Sequence, residues 1–368
     1  MRRRILPGLL ALFAIAGWMK LSLLSRGHAR VQAATSESVT VTAIVERLDP
    51  AIDALLPPKV EVIQIADGFK WTEGPLWLPS NQLIFAEIPS NSIRIWTPGV
   101  GVSVFKQPSG YKGAQPYGGP EPGSNGMTLD ADGRLTVAGH AQRDVWRLER
   151  LLPNARVTLL ADTYQGKRLN SPNDLVYKSD GSLYFTDPTF GMPTQAPGDP
   201  GQELKVQGVY RVPGALHQKP GSAPLRSALQ LLVKDLPEPN GIAFSPDEKY
   251  LYVDNSLPEM LWMRYTVRPD GSLTDPRVLC DAGPYAKHGA PDGMKVDQRG
   301  NIYSAGPGGI WIFSPAGKHL GTIEFATPVG NLAWGDSDFK TLYITANTTI
   351  YSMRVTIPGV PPHRQPHP

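Results

Sequence analysis

Glu73, Asn125, Asn173, Asn240, Asp292 and Asn331 each open one copy of a recurring unit. Two carboxylates and four amides form a set of hard oxygen donors. Calcium accepts such donors with flexible geometry, and two carboxylates balance its charge. Zinc or copper would prefer histidine and cysteine, which the set lacks. An isolated Asn-Gly or Asp-Gly pair reads more readily as a turn than as a ligand. Here the pair begins a strand pattern and a separate turn follows, and the spacing recurs. The set therefore reads as ligands, while Asn125 and Asn331 taken singly remain open between ligand and turn.

The elements that must position these residues are legible in the same copies. They run EGPLWLPSNQLIFAE, NGMTLDADGRLTVAG, NDLVYKSDGSLYFTD, NGIAFSPDEKYLYVDN, DGMKVDQRGNIYSAG and NLAWGDSDFKTLYITAN. Each is an alternating apolar stretch, a polar turn and a second stretch, which is the pattern of a β-hairpin. From Glu73 to Asn331 the mean repeat is about 52 residues, the length of a four-stranded propeller blade with its loops. The expected fold is all-β, a six-bladed β-propeller. In a blade the innermost strand comes first and lines the channel, so the six opening residues should project into the channel mouth. Unpaired polar groups converging there are costly, and a hard cation would supply their partner. Glu87, Asp187 and Asp254 lie fourteen residues after their openers, and His140 and Asn255 one further on. They should return to the same face one strand outward, either supporting the ring, touching a polar ligand, or serving as strand-end turns.

Gly 37 and Pro 37 are spread along the 368 residues, which suits short strands and turns better than helices. Met1-Arg2-Arg3-Arg4, an apolar run and His28-Ala-Arg-Val-Gln-Ala33 have the layout of a secretory signal peptide over residues 1–33. The alternative is a membrane anchor, because Leu21 to Leu24 lengthens the apolar run. Either way the expected location is extracytoplasmic, periplasmic or secreted, with any membrane contact confined to this segment. The leader holds six basic residues and no acidic ones, so the remainder carries 30 Lys+Arg against 33 Asp+Glu. That balance gives no support to nucleic-acid binding. Cys280 is the only cysteine, which excludes an intrachain disulfide and a cysteine metal site. Residues 34–59 read as a connector in which 42–55 form one short helix, limited by Pro50. The propeller should occupy 60–356 and a disordered Pro-rich tail 357–368. Two long insertions, 107–123 and 189–207, interrupt the rhythm, and loops of that length are usually functional or disordered. No Gly-x-Ser-x-Gly elbow, Walker, Rossmann or HExxH motif is present.

Trp71-Thr-Glu-Gly-Pro-Leu-Trp77, Asn170-Ser-Pro-Asn-Asp174, Phe185-Thr-Asp-Pro188, Pro239-Asn-Gly241 and Pro291-Asp-Gly-Met294 resemble the gluconolactonase/senescence-marker-protein (regucalcin) family. Asn331-Leu-Ala-Trp-Gly and Leu342-Tyr-Ile-Thr-Ala resemble its last blade. The resemblance implies a six-bladed propeller with one divalent cation, usually calcium, at the channel mouth. It implies Glu73, Asn173, Asn240 and Asp292 as ligands, with Asn125 lining the pocket beside them. It also implies hydrolysis of sugar lactones, a small-molecule substrate. On that basis Asp292 is expected to double as the base, with Asp187 next in line and Asp254 and Glu87 behind it. Arg168, just ahead of the Asn170 motif, reads equally as a group that holds a sugar hydroxyl or carboxylate and as a solvated surface arginine, and Asp187 and His140 are expected to reach the substrate. Two other readings are an esterase or phosphotriesterase using the same metal, and a non-catalytic propeller that binds sugar or protein.

Overall fold

The computed structural model describes residues 39–362 except 284 and 286; the leader 1–33 and residues 363–368 lie outside the described residues. Each recurring unit becomes the two inner strands of an antiparallel blade. The Glu73 unit gives Thr72–Leu78 and Gln82–Glu87, and Ser92–Thr97 and Gly101–Lys106 complete blade 1. Blades 2 to 5 begin with Met127–Leu129, Leu175–Tyr177, Pro239–Phe244 and Met294–Val296. Blade 6 begins with Asn331–Gly335. The expected six-bladed propeller is the fold observed.

Strand periodicity explains why blades stack around an axis. Along Gln82–Glu87, Leu83 and Phe85 pack with Trp77 of the same blade and Tyr343 of blade 6, whereas Ile84 and Ala86 pack with Met127 and Val137 of blade 2. Both faces of the strand are buried, so its alternation chooses between two neighbours instead of between core and solvent. Aromatic pairs fasten the seams. Trp77 stacks on Tyr343 at 4.8 Å, Tyr184 meets Phe244 edge-on at 5.0 Å, and Trp262 stacks on Trp311 at 5.0 Å. Each such pair contributes about 0.5–1.5 kcal/mol beyond its buried area.

Ring closure uses the beginning of the domain. Glu61–Asp67 pairs with Thr349–Arg354, placing Ile63 opposite Ser352, and becomes the fourth strand of blade 6. The connector behaves differently from the helix expected over 42–55. Thr40–Thr42 pairs with Glu61–Ile63 and Val45–Arg47 with Gly321–Ile323, extending blades 6 and 5. Only Pro50–Ala54 winds, as one 3-10 turn capped by the Asp49 carboxylate, which accepts from Ala51 N–H at 2.8 Å. β-Branched Thr40, Val41, Thr42 and Val45 favour strand, and the outer edge of a blade offers unpaired backbone groups to take them.

The tail also departs from the disorder expected over 357–362. Ile357 is buried, Gly359 N–H donates to Phe339 O at 2.9 Å, and Val360 N–H donates to Val296 O at 3.1 Å. Val360, Pro361 and Pro362 then line the channel end far from the opening residues, beside Phe244 and Trp334. Prolines carry no backbone N–H that would need an acceptor, so an apolar channel end can seat them.

Candidate active site

The first strands deliver their opening residues to one place. Glu73, Asn125, Asn173, Asn240 and Asp292 wall a cavity of about 250 Å³ at the channel mouth. Glycines set how closely they gather. A Cβ on Gly74, which has φ +50°, would lie 2.3 Å from the Asn125 carbonyl oxygen. A Cβ on Gly241 would lie 2.4 Å from the Asp292 carbonyl oxygen. After these openers the next residue must lack a side chain for the neighbouring blade's opener to approach, whereas Asn173 and Asn331 are followed by Asp174 and Leu332. The Asn-Gly and Asp-Gly pairs are thus neither hairpin turns nor ligands alone; they are inter-blade contacts.

Asn331 is the exception among the six. It does not line that cavity, and its Oδ1 accepts from Leu332 N–H at 2.8 Å and from Lys295 Nζ at 3.2 Å.

The electrostatics of the mouth are dominated by buried acid. Glu73 Oε2 accepts from Gly74 N–H at 2.9 Å, yet burial pushes its carboxyl up to about 8, and the Asp174 charge adds to this. Asp292 Oδ1 accepts from Gly293 N–H at 3.0 Å. Burial raises Asp292 well above the ordinary carboxylate range, and the charges of Glu73 and Asp254 push the same way. Asp254 is raised by burial first and by Asp174 next. The cation paired with this group is Lys295, whose Nζ lies 3.3 Å from Asp174 Oδ2. One ammonium against four carboxyls leaves a site that favours added positive charge.

The amides point the same way. Asn240 Nδ2 donates to Ser256 Oγ at 3.1 Å, which fixes the amide and leaves Oδ1 buried without a donor. Asn125 Oδ1 is likewise buried without a donor. Orphaned buried acceptors are rare and call for a partner. A divalent cation fits carboxylate and amide oxygens arranged in this way. Among the described residues no group of three His, Cys, Asp or Glu could hold a metal, so a cation here needs the amides as well as the two carboxyls.

The structure does not bring every expected residue to the mouth. His140 is fully buried and holds Glu121 instead, its Nε2 lying 2.9 Å from Glu121 Oε2. Arg168 is exposed, donates from Nη2 to Gln142 O at 3.1 Å, and lines a separate cavity with Tyr111, Tyr117 and Arg143. Asp187 sits behind the Asn170-Ser-Pro-Asn173 loop, accepting from Asn170 N–H at 2.9 Å through Oδ2, and Oδ1 has no donor. Burial pushes its carboxyl up to about 7. Glu87 is satisfied by Arg94 at 2.6 Å, and Asn255 Oδ1 accepts from Glu238 N–H at 2.8 Å. Neither is available to a substrate.

Three residues of the site escaped the sequence reading. Asp174 stands next to Asn173 in the quoted motif, and Lys295 interrupts an apolar channel strand between Met294 and Val296; both were visible signals. Glu121 comes from the 107–123 insertion, which has no repeat register to place it.

Six antiparallel blades around a mouth walled by carboxyl and amide oxygens define the class: a β-propeller with an axial polar site. A model of the SMP-30/gluconolactonase/LRE-like region matches residues 71–348, and the chain belongs to that family. A gluconolactonase from Zymomonas mobilis is 36% identical over 323 residues, covering 84% of this chain and 85% of that protein. A 6-deoxy-6-sulfogluconolactonase from Pseudomonas putida is 30% identical over 148 residues, 35% of this chain and 50% of that protein. The solved structure of a gluconolactonase from Xanthomonas campestris matches with TM-score 0.70 at 30% identity, covering 86% of this chain and 97% of that one. A calcium-binding regucalcin from Agrobacterium tumefaciens shares the fold, with TM-score 0.60 at 17% identity, covering 82% of this chain and 95% of that one.

Proposed function

We propose that the protein hydrolyses sugar lactones at the channel mouth and that a divalent cation, calcium, is held there by Glu73, Asn173, Asn240 and Asp292. The observation that carries the reading is the buried, donorless Asn240 Oδ1 beside two carboxyls that burial drives toward protonation. The gluconolactonase relative that aligns with most of the chain supports the substrate class. When bound, the cation supplies Lewis-acid polarisation of the lactone carbonyl.

The protein's own residues do the rest. Gly293 N–H holds Asp292 Oδ1, which leaves Oδ2 to take a proton from the attacking water. The water oxygen bonds to the carbonyl carbon, the ring C–O bond breaks, and the ring oxygen leaves as a hydroxyl once protonated. Asn125 lies beside the ligands with a free acceptor oxygen suited to a sugar hydroxyl. The leader further supports export, which fractionation of cells expressing the full chain would test.

The test is an assay of the purified protein on sugar lactones, simple esters and phosphotriesters, with and without a chelator. Lactone turnover that disappears with chelator and returns with calcium is expected. Turnover untouched by complete metal removal would sink the metal assignment, and turnover of esters alone would sink the lactone assignment.

A further inference from the structure

Glu121 is the one acidic side chain that the 107–123 insertion contributes to the wall of the mouth. It is held from behind. His140 Nε2 lies 2.9 Å from Glu121 Oε2, and His140 Nδ1 lies 3.3 Å from the Pro172 carbonyl oxygen. A carbonyl can only accept, so the contact to Pro172 takes its proton from Nδ1. Pro172 immediately precedes Asn173 on the ring, so the histidine ties the insertion to the site itself.

The ring is also clamped by the other insertion. A Cβ on Gly191 would lie 2.6 Å from the His140 ring, and Tyr117 of the first insertion donates its hydroxyl proton to Gly191 O. His140 has φ +34°, a conformation uncommon for a side chain other than glycine and found where the surroundings impose it. Two loops, a strained buried histidine and the Pro172 backbone thus converge to aim one carboxylate. Among the described residues no donor meets Oε1 of Glu121. It shares the wall with the opening carboxyls and amides, with Gln195 and Ser256, and with the apolar Trp71, Phe190, Leu257 and Val329. A few placed polar groups on an apolar wall are what orient a small ligand.

We propose that Glu121 contacts the substrate, accepting a hydrogen bond from a ring hydroxyl of a polyhydroxylated lactone, and that His140 is its positioning residue. This rests on the lactonase reading above and adds the group that selects hydroxylated over plain lactones. A site built to bond a substrate hydroxyl discriminates against analogues lacking it.

The experiment compares glucono-δ-lactone with δ-valerolactone. Glu121→Ala should lower the ratio of their kcat/KM values by roughly tenfold or more, the value of a hydrogen bond to a charged group. His140→Gln should raise KM for the hydroxylated lactone with little change in kcat, and should add nothing when combined with Glu121→Ala. A ratio within about twofold of wild type in Glu121→Ala overturns the proposal. Calorimetric titration with glucono-δ-lactam, which is not turned over as a lactone, gives a second readout. Wild type should bind it roughly tenfold tighter than Glu121→Ala. Equal affinity, or no binding to wild type, overturns the contact. Lactam binding that depends on Glu121 in a protein that hydrolyses no lactone upholds the contact and overturns the catalytic reading alone.

Discussion

Gly241 N–H donates to Asp254 Oδ1 at 2.9 Å, and Asp254 Oδ2 lies where a Cβ on Gly241 would meet it at 2.6 Å. One backbone position thus holds a fully buried carboxyl beside the mouth and admits the Asp292 carbonyl of the next blade. Gly241→Ala is expected to destabilise the protein by about 1–3 kcal/mol through overpacking and to abolish most turnover. Gly133 is the control: unlike Gly241 it has a positive φ (+73°), and nothing lies within 4 Å of its missing Cβ. Gly133→Ala should lose some stability and keep turnover. Equal turnover in the two variants, read by denaturant melts and lactone assay together, would remove the close-approach account.

Adding calcium should raise the melting temperature, because a ligand that binds only the folded state stabilises it by mass action. At a hundred times its dissociation constant the gain is about 2.7 kcal/mol. In Asp292→Ala the effect should vanish, since one carboxyl then faces a divalent charge. A melting curve indifferent to calcium and chelator in wild type would leave Glu73 and Asp292 as buried acids with no cation to hold.

The blades and five of the six openers were legible because a propeller repeats: one alternating hairpin, read six times, places equivalent residues on equivalent strands. What failed lacked either a repeat or a local signal. The closing strand Glu61–Asp67 finds its partner at Thr349–Arg354, almost the whole domain away, and nothing local announces that pairing. His140 and Asp187 were found at the right face, but sequence spacing cannot tell a side chain aimed into the mouth from one aimed behind it. Arg168 was placed by its neighbourhood to the Asn170 motif, while the backbone turns it into a different cavity. Asn331 kept its register and lost its role, because Lys295 and Leu332 N–H already occupy its oxygen.

Asp187 makes stability depend on pH in an unusual direction. Burial raises its carboxyl from 3.8 to about 7 in the folded protein. Between those values the folded state holds a proton that the unfolded chain has released, so stability falls as pH rises through that window and levels off above it. Asp187→Asn keeps the shape and removes the titration. Urea unfolding at mildly acidic and mildly alkaline pH should show a smaller loss of stability in the variant. Glu73 and Asp144 are raised as well, to about 8 and about 6, so part of the slope should persist in both proteins. Identical slopes would show that the Asp187 proton is not held more tightly on folding.

The last prediction separates binding a cation from using it. Asp292→Asn keeps a carbonyl oxygen at the ring but cannot take a proton from water near neutral pH. It should bind calcium more weakly and lose turnover by about 10²–10⁴-fold, the range for a missing general base. Asn173→Asp works in the other direction on affinity. A third carboxylate at the ring tightens calcium and weakens its pull on the lactone carbonyl, so affinity should rise while turnover falls. Calorimetry for calcium and steady-state kinetics on the same two proteins give the four numbers needed. Parallel losses of affinity and turnover in Asn173→Asp would mean that the extra charge merely damages the mouth. Wild-type turnover in Asp292→Asn with calcium bound would make Asp292 a ligand only. The base would then be sought first at Asp254, whose buried, donorless Oδ2 lies against Gly241, next to Asn240.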